Sequence, residues 1–135
     1  MNKRGFTLIE LLAVIMILGI LSSLAVISYV NYLNNARDKA FKVAEKDFVS
    51  ALEEAYVDCL DKPYNNTFCS NHTELYKKEK IYLSELVHNN YIDVIKNPYN
   101  TDENCDISAS YIQVSGERDY DVCLKCGNKI SSSCN

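Results

Sequence analysis

A chain of 135 residues has room for one ordinary domain, or for a smaller domain plus a targeting or membrane element, and not for two full enzyme domains. Its 47% hydrophobic and 24% charged residues exclude a collagenous, polar-tract or mostly disordered polypeptide. The formal net charge is −4, and only Lys77, Lys78 and Lys80 approach a basic cluster, which argues against a nucleic-acid partner because phosphate binding needs concentrated Lys and Arg.

These averages conceal a division along the chain. Residues 11–36 are 26 consecutive positions without a charge, whereas the chain from Asn31 onward carries 12 Lys+Arg and 17 Asp+Glu. As a helix rising ~1.5 Å per residue, residues 11–30 would cover ~30 Å, the thickness of a bilayer core. Lys3, Arg4 and the terminal amine precede the run, so the positive-inside tendency places the extreme N-terminus in the cytoplasm and sends the rest outward. A removed secretory signal peptide is the competing reading, but the run exceeds a usual h-region and no small-x-small cleavage site closely follows Val30.

Glu10 stands between Ile9 and Leu11, where an ionised carboxylate in hydrocarbon would cost several kcal/mol. One solution is a Glu at the membrane edge, snorkelling to the interface. The other is a cation brought to the same depth, and a new amine at Phe6 would be one if the chain were cut after Gly5.

The segment Lys3-Arg4-Gly5-Phe6-Thr7-Leu8-Ile9-Glu10-Leu11-Leu12, followed by an apolar helix, closely resembles the class III signal of type IV pilins and pseudopilins. The resemblance covers residues 1 to about 30. It implies cleavage after Gly5 by a prepilin peptidase, N-methylation of Phe6, and pairing of Glu10 with the terminal amine of a neighbouring subunit. The partners it implies are copies of the chain and other pilins in a helical filament, and a membrane assembly platform. The location it implies is a single pass in the cytoplasmic membrane before assembly, and an extracellular or envelope filament afterwards. No cofactor is expected. Gly19 matches a glycine usual in the family's anchor helix, while Ile27 stands where many members carry a proline that helps the helix loosen. The expected division is a leader over 1–5, a transmembrane or filament-core helix over 6–30, and an extracytoplasmic headpiece over 31–135.

Neither Pro nor Gly occurs between Leu21 and Lys62, and Phe41, Ala44, Phe48, Ala51, Leu52, Ala55 and Cys59 recur at spacings of three and four. The pattern predicts one helix from Phe6 to about Leu60, ~80 Å long, with an apolar face on its second half. A coiled-coil seam is the alternative use of that face. Pro63 ends the helix, and a polar, turn-rich stretch follows to Lys80. Within residues 81–92, Leu83, Leu86, Val87 and Tyr91 suit a short helix, closed by Asn97-Pro98. Residues 109–115 and 119–125 alternate apolar and polar, with Gly116-Glu117-Arg118 between them, and read as a β-hairpin. Laying Ile112, Val114, Val122 and Leu124 against the helix gives an α+β headpiece, a helical spine with a small antiparallel sheet.

Six cysteines, Cys59, Cys69, Cys105, Cys123, Cys126 and Cys134, all follow the apolar run and suggest a disulfide framework in an oxidising compartment. Fifteen pairings exist. The preferred set is Cys59 with Cys69, closing the turn after the helix; Cys105 with Cys126; and Cys123 with Cys134, pinning the tail. Cys123-Leu124-Lys125-Cys126 also invites a redox or zinc reading, but Cys123 lies in a strand pattern and an oxidising exterior removes thiolates, so no metal site is expected. His72 and His88 read as surface or loop residues, since no nucleophile motif accompanies either. The two Asn-x-Thr triplets, at Asn65 and Asn71, carry no functional weight. Ten tyrosines are read as core-edge residues before an adhesive surface is invoked.

The chain therefore reads as a non-enzymatic subunit of a type IV pilus or pilus-like filament. The alternatives are a pseudopilin of a secretion or DNA-uptake system, a bitopic membrane protein with a disulfide-bonded binding ectodomain, and a thiol-disulfide enzyme using Cys123 and Cys126.

Overall fold

The computed structural model describes residues 6–64 and 66–134. Its first element, α1 (Leu8–Asp61), is a single helix of 54 residues. The lack of Pro throughout, and of Gly at every position but Gly19, explains its continuity, and Pro63 explains its end, because a proline disfavours helical geometry in the residue before it. The contacts divide the chain into two compact units that meet at Ala36 and Arg37.

In the first unit every residue from Phe6 to Val30 is exposed, whichever side of α1 it occupies. An 18-residue window here reaches a mean hydropathy of 2.7, long and apolar enough to cross a membrane.

The second unit is an α+β fold whose core is built on the later part of α1. Phe41, Phe48, Ala51, Leu52, Ala55, Tyr56 and Cys59 are buried along one helical face. Against them lie α2 (Thr67–Asn71), β1 (Glu79–Tyr82), α3 (Leu83–His88), β2 (Tyr111–Gly116) and β3 (Asp119–Cys123), followed by β4 (Lys125–Cys126) and β5 (Lys129–Ile130). The strands β1-β2-β3 form an antiparallel sheet in that order, with Ile81 opposite Ile112 and Ile112 opposite Val122. Ile112, Val114 and Leu124 are fully buried, and Val122 packs beside them half-buried.

Three details differ from the sequence reading. The short helix begins at Leu83 rather than Ile81, because Ile81 and Tyr82 pair with Ile112 and Tyr111 as a third strand. Burying Ile81 on the sheet outweighs its place in a helical pattern, and Glu85 caps the shortened helix by accepting the Tyr82 backbone N–H at 3.3 Å. Gly116 does not belong to the hairpin turn: it pairs with Asp119, leaving a two-residue turn in which Arg118 takes a positive φ of 59°. Finally, the expected strand over 119–125 breaks at Leu124. Its N–H donates to Ser131 Oγ at 2.9 Å while its side chain is buried, and β4 and β5 then form a separate hairpin. Gly127 opens that hairpin's turn at φ 59°, and a Cβ there would lie 3.1 Å from Asn97 Nδ2, so glycine answers both backbone and space.

Candidate assembly site and disulfide framework

Glu10 lies in the first turn of α1, where an acid suits the positive end of the helix dipole. Its Oε2 accepts two bonds from Thr7, from the backbone N–H at 2.9 Å and from the hydroxyl at 2.8 Å. Thr7 Oγ1 in turn accepts the Glu10 backbone N–H at 3.4 Å. The exchange is a capping box, in which a Thr just before the helix and a Glu three residues later satisfy each other's amide donors. Thr7 was missed in the sequence, although Thr-x-x-Glu before an apolar run is a readable signal for it.

The capping box is a neutral partner, and Glu10 has no ion pair among the described residues. Oε1 accepts no hydrogen bond among the described residues, so an acceptor remains open toward a cation. Phe6 precedes this turn and is exposed. Gly5, the expected cleavage position, lies outside the described residues with Lys3 and Arg4.

Residues 1–26 match the family described as the prokaryotic N-terminal methylation motif. The chain thus carries the class III prepilin signal of type IV pilins and pseudopilins. The match ends within the apolar half of α1, so the signal supports a pilin-like or pseudopilin protein and points to a structural role without describing the folded unit. No curated protein and no solved structure matches the chain. The prepilin signal and the exposed apolar helix fit anchoring in a membrane before assembly.

The cysteines are joined as Cys59–Cys69, Cys105–Cys126 and Cys123–Cys134. The first ties the end of α1 to α2, the second ties the loop after α3 to β4, and the third ties β3 to the tail. Cys123 and Cys126 have different partners, so this pair offers no thiol for exchange chemistry. No group of three or more His, Cys, Asp or Glu is placed to hold a metal ion among the described residues.

His72 lies in the loop after α2, in keeping with a surface or loop residue, but its side chain is largely buried. Its ring sits against Phe68 with centroids 4.5 Å apart and bridges two carboxylates, Nδ1 to Glu79 Oε1 at 3.1 Å and Nε2 to Glu85 Oε2 at 2.7 Å. The side chain is 9% exposed. The bond to Glu85 raises the His72 pKa above the ordinary 6.5; burial opposes this, and Glu79 adds to the rise. The same bond holds Glu85 below the ordinary 4.5. His88 is exposed, with Nδ1 on the Ser84 carbonyl.

A sign follows for stability. A raised imidazole pKa contributes fully below 6.5 and its contribution is lost as pH rises through the folded value; a depressed carboxylate contributes above 4.5 and is lost in acid. The bridge is therefore strongest between those two limits. Denaturant unfolding of the oxidised protein is expected to show greater stability at pH 6 than at pH 9, with His72→Gln flattening that difference. His72→Ala should lower stability by roughly 2–3 kcal/mol, the scale of hydrogen bonds to charged groups.

The tyrosines mostly edge the core. Tyr91 donates to Asp58 at 2.7 Å, Tyr99 donates to Asp38, and Tyr56 is fully buried, whereas Tyr64 is 81% exposed.

Proposed function

We propose that the protein is a structural subunit of a type IV pilus or pilus-like filament, cut after Gly5, N-methylated at Phe6 and assembled through the apolar half of α1. The observation that carries this reading is the all-round exposure of the apolar side chains from Phe6 to Val30, joined in one helix to a folded, disulfide-bonded unit. Fully burying one such side chain is worth about 1.5–3 kcal/mol in water, so a helix exposing this many needs lipid or neighbouring helices around it. Lipid satisfies it before assembly, and other subunits replace lipid afterwards. In this scheme Glu10 sets axial register: with Oε2 held by Thr7, Oε1 receives the Phe6 amine of an adjacent copy, and a misplaced copy leaves a carboxylate unpaired in low dielectric. The prepilin peptidase, other pilins and a membrane assembly platform are the partners this requires. A pseudopilin filament of a secretion or DNA-uptake machine would use the same mechanism and differ in length and copy number.

Mass spectrometry of the N-terminal peptide from purified polymer tests the reading. The expected species begins at Phe6 with one added methyl group. An intact Met1 in the polymer would contradict it.

A further inference from the structure

The solvent face of α1 between Arg37 and Asp61 is sorted by charge. Its first part presents Arg37, Lys39, Lys42 and Lys46, all exposed; its last part presents exposed Glu53, Glu54 and Asp61. Two of the acids that would have mixed with the basic group, exposed Asp38 and half-buried Glu45, are engaged by other side chains of the fold. Asp38 accepts from Tyr99 and from Lys129 at 3.1 Å, and Glu45 accepts from Ser131. Exposed Asp47 follows the basic part without such a partner among the described residues, and Lys62 reaches Asp61 at 3.9 Å. None of Lys39, Lys42, Lys46, Glu53 or Glu54 forms an ion pair among the described residues.

This order opposes what an isolated helix prefers. Anions gather toward the C-terminal end, the last turn has no base, and like charges stand four apart at Lys42 and Lys46 and at Glu54 and Asp58. Each arrangement is unfavourable locally, which directs attention to a partner outside the chain. Beside the basic part, Lys42, Lys46, Val49, Tyr120 and Val122 line an open groove, together with serines and with Glu45, whose carboxylate accepts from Ser131. On the acidic part, Val57 and Leu60 are exposed between the acids. One surface thus offers two cations against one already engaged acid around a partly apolar floor, and the other offers acids around an apolar ridge.

The geometry points to a second copy of this chain as the occupant: the acidic end of one α1 docks in the basic groove of a parallel, axially displaced neighbour. An offset of about 20 Å, from ~1.5 Å per residue, brings the centres of the two segments together, and about 10 Å already sets Lys46 beside Glu53. Copies at equal height place like charges together, so the pattern selects a stagger as well as a partner. The inference rests on the filament reading and adds the headpiece contact to it.

Charge reversal of the full-length chain in its native cells tests it. Lys42→Glu with Lys46→Glu, and separately Glu53→Lys with Glu54→Lys, should each lower filament yield at least tenfold while the protein still reaches the membrane with its cysteines oxidised. The fourfold exchange restores complementarity with opposite sign and should recover yield to within about threefold of wild type. Reversals that assemble normally, or a fourfold variant no better than the worse pair, would overturn the contact. A zero-length carbodiimide applied to wild-type filaments gives a readout independent of variant folding. Lys42 and Glu54 stand about 18 Å apart along one helix, too far to join directly, so an amide between them is intermolecular. Its formation is expected, and its absence from filaments in which other Lys–acid links form would sink the proposal. If the wild-type chain forms no polymer, this contact falls together with the filament reading, whereas normal polymer without the link removes the contact alone.

Discussion

Glu10→Ala is expected to leave membrane insertion intact and to reduce incorporation into filaments by about 100-fold or more. The size follows from the proposed register. An amine left beside a missing carboxylate in low dielectric is destabilising by roughly 3–5 kcal/mol, and each 1.4 kcal/mol is a factor of ten. The capping box complicates the alanine result, because Ala also removes the bonds to Thr7, an effect on the order of 1 kcal/mol on the helix end. Glu10→Gln separates the two. The amide preserves a capping box and has no charge, so it should assemble as poorly as alanine if the charge sets register. Wild-type assembly by Glu10→Gln would assign Glu10 to the cap and remove it from the intersubunit contact. Immunoblotting of sheared polymer against the membrane fraction reads both variants.

Loss of the Cys105–Cys126 bridge should have the largest effect on the folded unit. The bridge closes a span of 21 residues, for which restriction of the unfolded chain contributes about 3 kcal/mol. Both cysteines are buried, and the β4-β5 hairpin that holds Cys126 has only two residues in each strand. Such a hairpin is marginal by itself. The double variant Cys105→Ser, Cys126→Ser is therefore expected to unfold at a clearly lower denaturant midpoint, with rapid proteolysis between Asn97 and Lys129. An unchanged midpoint would show that packing of Leu124 and Ser131 holds this hairpin without the covalent tie.

The long helix and the β2-β3 hairpin were legible because each carries its period over enough residues: no proline interrupts α1 and Gly19 is its one glycine, and Ile112, Val114 and Val122 alternate with polar neighbours. β1 was hidden because its four residues, Glu79 to Tyr82, run directly into α3 and find their partners about thirty positions later. Sequence periodicity has no access to that pairing. α2 is five residues long and depends on Asn66, whose side chain caps it by accepting the Cys69 N–H, and on the bridge from Cys69 to α1. The His72 bridge is tertiary in origin, since its two carboxylates come from β1 and α3. At the assembly segment the opposite holds. Phe6 and Glu10 stand out in the sequence, and the fold adds Thr7 and the open oxygen.

Cys123 and Cys126 stand three positions apart and belong to two different bridges. Should either bridge be reduced, the freed thiolate stands three positions along the chain from a cysteine of the other bridge, and attack on that disulfide would exchange one linkage for another. Damage at this corner would spread as mispairing instead of ending as a single open link. Correct oxidation of these neighbours in the first place then depends on the fold, which must deliver Cys105 to Cys126 and Cys134 to Cys123.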